Sequence, residues 1–200
     1  MADASPTRDA LIRAAIDIFH QKGFQMTRVS DIVAAAGVAQ GTFYNYFRSK
    51  EAIFREICND FMSQVRSIFT DRSRLLFSGE TGAEVRENVH LAVRDVFAIY
   101  QENLDAAELL LREGLGHGGL FKEIYEDILN QVLDIIREQV NKGNDSGVLQ
   151  VSEPEIISVF IFGLFERTLF YFLLIRKNIE LEKLEDELVD FILKGLGVIA

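Results

Sequence analysis

Apolar residues recur three and four positions apart along most of this chain, and proline does not interrupt them. The 200 residues contain only two prolines, Pro6 and Pro154. Proline inside a helix removes a hydrogen bond and clashes with the preceding turn, so its scarcity permits long helices. Few windows alternate apolar and polar residues as a half-buried strand would. The sequence therefore predicts an all-α protein.

Capping residues and glycines set the expected helix limits. Ser5 and Pro6 suit the start of a first helix that runs to about residue 22, where Gly23 ends it. Thr27 is expected to cap a second helix, and Ser49 the fourth. Further helices are predicted at about 84–100, 103–114, 120–141, 154–177 and 181–197. The apolar residues of the first of these fall on one side, namely Val85, Val89, Ala92, Val93, Val96 and Phe97.

Charge is distributed unevenly between the two ends of the chain. Residues 1–50 carry a net charge of +2, whereas residues 51–200 carry −12. An acidic surface repels phosphate, so any contact with nucleic acid is expected in the first 50 residues. We therefore expect any DNA-binding domain at 1–50 and a larger helical domain at 51–200.

Two features bear on the cellular compartment. Cys58 is the only cysteine, so a disulfide within the chain and a cysteine metal cluster are excluded. The first residues lack the apolar core of a signal peptide, which favours a cytoplasmic protein. The apolar run Ile156–Ile175 is long enough to span a bilayer. It contains Glu166 and Arg167, each costing ~2.5–3.5 kcal/mol in a membrane, so a buried helix is expected instead.

The stretch Thr27–Lys50 contains two short helical patterns on either side of Gly37 and Val38. Gly37 suits a turn because a positive φ costs glycine least. The second pattern carries more aromatic and hydroxyl side chains than packing requires. This arrangement is typical of a helix-turn-helix that presents a recognition helix to DNA.

The two sides of this recognition helix are expected to differ. Phe43 and Phe47 lie four residues apart on one face, near Val38, and are predicted to be core residues. The remaining residues are expected on or near the exposed side: Gln40, Gly41, Thr42, Tyr44, Asn45 and Tyr46.

These exposed residues have different predicted roles. The amides of Gln40 and Asn45 suit base edges, particularly adenine. The hydroxyls of Thr42, Tyr44 and Tyr46 suit phosphate oxygens, and Gly41 permits a close approach to the DNA backbone. Thr27 and Arg28 are expected at the start of the second helix, where free N–H groups favour phosphate.

The segment G-V-A-Q-G-T-F-Y-N-Y-F-R-S-K-E-A-I resembles the signature of the TetR family of transcriptional repressors. The resemblance covers about residues 8–55. It implies an N-terminal three-helix DNA-binding domain and a C-terminal helical domain for effector binding and dimerisation. It also implies a homodimer that binds a twofold operator on double-stranded DNA and is released by a small molecule.

Lys50 and Ala39 are both unfavourable residues for the helix starts where they stand. A cation in the first turn of a helix opposes the helix dipole by ~0.3–1 kcal/mol. Spacing alone leaves a solvated lysine and a phosphate-binding lysine equally open for Lys50, and the resemblance favours phosphate. Ala39 stands where the family often has Ser or Thr, and the missing cap costs ~0.5–2 kcal/mol.

The last two helices are the expected dimer interface, because 154–177 carries too many apolar residues for one face. A monomer core is the alternative. The sixteen phenylalanines suggest an apolar effector, such as an acyl chain or an aromatic compound. Its candidate polar contacts in the body are His90, Arg94, Arg112, His117, Tyr125, Glu166, Arg167 and Tyr171.

The alternatives to a regulator are a di-metal enzyme and a helical carrier. Glu87-x-x-His90 fits one half of a di-metal motif in a helical bundle, but no second half is present. A helical carrier that has kept the fold without binding DNA would have a buried or blocked recognition helix. We therefore expect a regulator that is not an enzyme and has no metal, cofactor or membrane partner.

Overall fold

The computed structural model describes residues 5–72, 76–114, 120–176 and 180–198. Regular structure in these ranges is entirely helical, which confirms the all-α fold. The helices are α1 (Pro6–Lys22), α2 (Val29–Ala36), α3 (Gln40–Tyr46), α4 (Lys50–Arg72), α5 (Gly82–Glu102), α6 (Leu104–Gly114), α7 (Leu120–Asp145), α8 (Pro154–Leu169), a π-helix (Phe170–Arg176) and α9 (Leu181–Gly195).

The chain divides into two compact units. The first comprises Met1–Ser63 and Asn103–Glu126, and the second comprises Gln64–Glu102 and Asp127–Ala200. This division differs from the boundary expected at residue 50, because α6 and the first part of α4 pack with α1. The end of the DNA-binding domain at residue 50 stays a prediction.

An aromatic cluster forms the centre of the first unit. Phe19 on α1 lies 5.0 Å from Phe24, and Phe24 lies 5.3 Å from Phe54 on α4, measured between ring centroids. All three rings are buried, and so are Leu11 and Ile53. Each large apolar side chain buried in this way contributes about 1.5–3 kcal/mol. The cluster joins α1, the loop after it and the first part of α4.

Polar contacts add to this packing at two edges of the first unit. The Arg8 guanidinium donates to the Glu56 carboxylate and joins α1 to α4. His20 Nε2 lies 3.4 Å from Glu108 Oε2 and joins α1 to α6. The first unit therefore includes α6 as well as the N-terminal helices.

The second unit has its core between α5, α9 and α8. The buried residues of α5 are those that the sequence predicts, namely Val85, Val89, Ala92, Val93, Val96 and Phe97. Val85, Val89, Val93 and Phe97 pack in one cluster with Leu188, Val189 and Ile192 of α9. Ala92 and Val96 pack instead with Ile68 of α4. The Phe97 ring meets the Phe165 ring of α8 edge-on at 5.9 Å.

Helix α7 extends to Asp145, so the expected end at about residue 141 is wrong. The Asn144 side chain explains the extension: its amide donates to Val151 O at 2.8 Å, and its oxygen accepts from Val151 N at 2.9 Å. Gly143 is buried where Leu149 crosses the helix. A Cβ at this position would lie 2.6 Å from Leu149 Cδ1. Only glycine permits this crossing without displacement.

Helix α8 begins at Pro154, as predicted, but it ends at Leu169 rather than continuing regularly to 177. The following seven residues form the wider π-helix. The sequence pattern used for the prediction does not distinguish these two helix types. Within the described ranges, no helix combines the length and the hydropathy needed to cross a bilayer.

Candidate nucleic-acid interface

The turn between α2 and α3 depends on Gly37. Its φ is 67° and its ψ is 30°, which is the left-handed region. The amide of Gly37 donates to Ala34 O at 3.3 Å, and the amide of Val38 donates to Val33 O at 3.1 Å. These bonds satisfy the last carbonyls of α2 and direct the chain into α3. The predicted turn is therefore present, although Val38 is half-buried rather than fully buried.

The inner side of α3 is fixed by two aromatic rings. Phe43 is fully buried and Phe47 is 5% exposed, and their centroids are 5.7 Å apart. The amide of Phe47 donates to Phe43 O at 2.9 Å and closes the last turn of α3. The predicted core positions are confirmed, and they determine which side of α3 faces outwards.

The outer side of α3 is accessible. Gln40, Gly41, Tyr44 and Asn45 are exposed, and Thr42 is half-buried. Tyr44 is 52% exposed although its ring packs edge-on against Phe43. This arrangement argues against the carrier alternative, because none of the described residues buries the outer side of α3.

Gly41 lies in open space, because no atom comes within 4 Å of an added Cβ. Its backbone can therefore approach another molecule closely. Ala39 is the N-cap of α3 and provides no side-chain acceptor. The side-chain cap is therefore absent, and the first turn of α3 contains a bond from Thr42 N to Ala39 O at 2.9 Å. A less firmly held start of α3 stays a prediction.

Tyr46 is exposed, but its hydroxyl is already occupied. The Tyr46 hydroxyl lies 2.9 Å from Ser5 Oγ. Ser5 is the N-cap of α1, but its side chain makes no capping bond there. The predicted phosphate contact of Tyr46 would have to compete with Ser5. The structure instead gives Ser5 a positioning role that the sequence pattern did not indicate.

Thr27 does not lie where the sequence predicts. Its side chain is 2% exposed, and its Oγ1 donates to Gly23 O at 2.8 Å. The hydroxyl therefore closes the loop after α1 and is not available to phosphate. Thr27 is also not the cap of α2, because that helix has Arg28 as its N-cap.

Asp31 stabilises the start of α2 in place of Thr27. Its Oδ2 accepts from the backbone N–H of Arg28 at 2.8 Å, and its Oδ1 pairs with Lys22 Nζ at 2.9 Å. The Arg28 N–H bond and then Lys22 hold the pKa of the Asp31 carboxyl below its ordinary value. The signal for this role is a carboxylate three residues after the cap, which is the position that reaches back to the cap N–H.

Lys50 has a different role from the one that the resemblance implies. Its Nζ donates to the carbonyl oxygens of Phe24, Gln25 and Thr27 at 2.9, 3.2 and 3.0 Å. The same ammonium group lies 4.4 Å from the centre of the Phe24 ring. An ammonium group has three N–H donors, and all three are used within the protein. Direct phosphate binding by Lys50 would require one of these bonds to be broken.

The candidate effector contacts do not form one group. His90 Nε2 lies 3.4 Å from Asp186 Oδ1, at the contact between α5 and α9. Arg94, on the same helix as His90, is exposed. Nearby Glu185 is buried, and burial raises the pKa of its carboxyl while His90 and Arg94 oppose that shift. These two candidates therefore belong to a charged contact between helices.

The remaining candidates are spread over both units. Burial raises the pKa of the Tyr100 hydroxyl to about 12, and the negative charge of Glu166 adds to this shift, so both groups lie together in the second unit. Arg167 lies 5.3 Å from the Phe170 ring. Of the other four candidates, Tyr171 is 41% exposed in the second unit and Tyr125 lies in the first unit. The side chain of Arg112 and the whole of His117 lie outside the described residues.

No three metal-binding side chains come together within the described ranges. Glu87 is exposed, and His90 faces Asp186 rather than a second carboxylate–histidine pair. Cys58 is buried, and burial raises the pKa of its thiol to about 12. A thiol with this pKa is protonated near neutral pH and is a poor nucleophile.

A groove of about 530 Å³ opens at the start of α9 and has mostly acidic side chains along its walls. Its lining residues are Glu180, Leu181, Glu182, Lys183, Asp186 and Glu187. Because carboxylates are costly to remove from water, this groove does not suit the apolar effector predicted from composition.

Comparison with known proteins gives a family for the N-terminal part. Residues 11–57 match the profile of the family described as bacterial regulatory proteins, tetR family. YdgC of Bacillus subtilis, an uncharacterized HTH-type transcriptional regulator, is 42% identical over 103 residues. That match covers 52% of each chain. The HTH-type transcriptional repressor DhaR of Mycobacterium sp. is 33% identical over 107 residues, covering 54% of this chain and 50% of DhaR.

The chain thus spans about half the length of these two relatives. A solved structure extends the likeness to nearly the whole chain. The transcriptional regulator FadR from Bacillus subtilis, in complex with stearoyl-CoA, has a TM-score of 0.77 and is 21% identical. The comparison covers 96% of this chain and 99% of FadR. At this identity the likeness establishes the fold of both units.

Replacing Lys50 with methionine tests its positioning role. Lys50→Met keeps the apolar stem but leaves the carbonyls of Phe24, Gln25 and Thr27 without their donor. We expect a loss of about 1–3 kcal/mol in the free energy of unfolding, measured by denaturant titration. Lys122→Met is the matched control, because Lys122 is a surface residue 3.6 Å from Glu126 in the same unit. Equal stability of the two variants would contradict the role assigned to Lys50.

Proposed function

The chain belongs to the TetR family of helix-turn-helix transcriptional regulators, and from this premise we propose that it is a dimeric repressor of transcription. In this proposal, α3 of each protomer enters the major groove of one half-site. A small apolar molecule in the second unit releases the protein from DNA. Since transcription is regulated at the chromosome, a cytoplasmic location is part of the same proposal.

One observation carries the DNA-binding part of the proposal. Phe43 and Phe47 hold one side of α3 in the core, and this leaves Gln40, Tyr44 and Asn45 exposed on the other side. A carboxamide can bond adenine through both its oxygen and its nitrogen, so Gln40 and Asn45 are the proposed base readers. Thr42, Tyr44 and the exposed Arg28 are the proposed phosphate contacts, with the Gly41 backbone close to them.

Replacing Tyr44 with phenylalanine tests the direct contact. Tyr44→Phe removes one exposed hydroxyl and keeps the ring on Phe43. A hydrogen bond to a charged group contributes about 1.5–3 kcal/mol, so we expect operator affinity to fall at least about tenfold. The operator would first be selected from random duplexes with the wild-type protein.

The matched control for this substitution is Tyr171→Phe, which removes an exposed hydroxyl from the π-helix of the second unit. Both variants are expected to melt at the wild-type temperature, because both hydroxyls belong to exposed side chains. Wild-type affinity of Tyr44→Phe for the selected duplex would remove Tyr44 from the interface.

Exposed apolar side chains support α8 and α9 as the dimer interface. Ile156, Val159 and Phe160 on α8 are each about half exposed or more, and Phe191 on α9 is 67% exposed. Residues 156, 159 and 160 share one helical face, and a soluble monomer rarely leaves such a patch uncovered. Two helices from each protomer would form a four-helix bundle and place two copies of α3 on one duplex.

Placing a charge in this patch tests the interface. Phe160→Glu puts carboxylates into the apolar contact, where their desolvation is costly. We expect it to convert a dimer into a monomer, measured by sedimentation at micromolar concentration. Met26→Glu is the control, because Met26 is 76% exposed in the first unit and lies outside the patch. A dimeric Phe160→Glu variant, or a monomeric wild type, would contradict the proposal.

Acyl thioesters are the proposed effector class. The support is the stearoyl-CoA held by FadR, together with the apolar environment of the second unit. Half-buried Ile157, Ile161, Leu164 and Phe165 of α8 pack along its core, and Tyr100 and Glu166 provide polar groups beside them. A long acyl chain would gain about 0.8 kcal/mol for each buried methylene.

Thermal-shift measurements with a long-chain and a short-chain acyl-CoA test the proposed effector class. Stearoyl-CoA at about 100 times its Kd should stabilise the folded protein by about 2.7 kcal/mol and raise Tm by several degrees. Acetyl-CoA should produce no shift, because it has the same head group without the chain. Equal shifts from both would show binding of the head group only. Absence of a shift with either would contradict an acyl effector.

A further inference from the structure

The cations around the recognition helix differ in whether their charged groups are already bonded within the protein. Residues 22–50 contain four cations and one acid, Asp31. Lys22 pairs with Asp31 at 2.9 Å, and Lys50 is bonded to three carbonyls. Arg28 lies near enough to Asp31 to add to the lowering of that carboxyl's pKa, after the larger effects of its own N–H bond and of Lys22. Lys22 and Lys50 therefore have bonded partners within the protein, whereas the guanidinium of Arg28 acts on Asp31 through its charge.

Arg48 is the fourth cation, and it is exposed. Among the described residues, no carboxylate or carbonyl forms an ion pair or hydrogen bond with its guanidinium. A guanidinium in this state is hydrated and can exchange water for an external anion without breaking a bond inside the protein.

The backbone directs Arg48 away from the core. Phe47 has φ −131° and ψ 130°, which is extended, and its side chain is buried. Successive side chains of an extended segment point to opposite sides. Because Phe47 points inwards, Arg48 points outwards, two residues beyond the end of α3.

This position fits the DNA backbone better than the base edges. Base edges are reached from within the groove, whereas phosphates line its two margins. A side chain just beyond the end of a recognition helix lies at a margin. The planar guanidinium can form two parallel hydrogen bonds with phosphate.

We propose that Arg48 is a further DNA-binding residue, which contacts a phosphate at the C-terminal end of the recognition helix and sets its position in the groove. This inference rests on the proposed DNA-binding function. It assigns to Arg48 the phosphate contact that the family resemblance implies for Lys50, whose donors are already used.

The dependence of affinity on salt measures phosphate contacts directly. Each neutralised phosphate contributes about 0.9 to the slope of log K against log salt concentration. Arg48→Gln in a dimer should therefore reduce that slope by about 1.8, on a duplex of arbitrary sequence as well as on the selected operator. Arg48→Lys keeps the charge and should retain most of the slope. The ratio of operator to non-operator affinity should stay within about threefold of wild type, since phosphate contacts do not read sequence.

Arg137→Gln is the matched control, because it removes one exposed cation from the second unit, where Arg137 pairs with Asp134 at 2.5 Å. It changes the net charge equally and should leave the slope unchanged. A slope for Arg48→Gln equal to that of Arg137→Gln would overturn the assignment, and so would an unchanged slope with altered sequence preference. If the wild type binds no duplex at low salt, the proposed function itself fails; wild-type binding with an unaffected Arg48→Gln rejects the inference alone.

Discussion

One ammonium group holds the helix-turn-helix in place. Lys50 Nζ bonds three carbonyl oxygens between Phe24 and Thr27, and so ties the loop before α2 to the first turn of α4. The segment between these two anchors is α2, the Gly37 turn and α3. With both ends fixed and with Phe43 and Phe47 buried inside, the outer face of α3 has one orientation. The contact also offsets the cost of a cation at a helix N-terminus, because the loop carbonyls surround the charge.

The first 50 residues and the rest of the chain differ in charge, and this difference divides the proposed functions between them. The first 50 residues carry the excess of positive charge, whereas the rest of the chain is strongly acidic. Phosphate is therefore attracted to one part of the molecule only. In the second unit, α8 and α9 carry exposed apolar side chains, which are the proposed surface for a second copy. The Arg86 guanidinium bonds Asp186 and Asp190, each at 3.0 Å, and fixes α9 on α5 behind that surface.

Features that depend on local pattern could be predicted from the sequence. The buried face of α5, the limits of α1 and the two sides of α3 follow from helical spacing and from the glycines after α1 and α2. Features that depend on how the loops and helices come together could not be predicted. Thr27 is a good capping residue, but its hydroxyl bonds Gly23 O because the loop folds back over it. The carbonyls around Lys50 come from residues about 25 positions away, and no spacing rule indicates them. The polar residues of the body were expected near one effector, but packing separates them among the α5–α9 contact, the Tyr100–Glu166 neighbourhood and the first unit.

A hydroxyl-radical footprint of the dimer on its selected duplex tests the central claim most directly, because it reports contacts with each strand at single-nucleotide resolution. Two copies of α3 in successive major grooves should protect two regions on one side of the duplex. Their centres should lie about 34–36 Å apart, or one helical turn, with twofold symmetry about the midpoint. Stearoyl-CoA should abolish both protected regions together. Protection of a single region, or uniform protection without symmetry, would contradict the account of a dimeric reader in which α3 is the recognition helix.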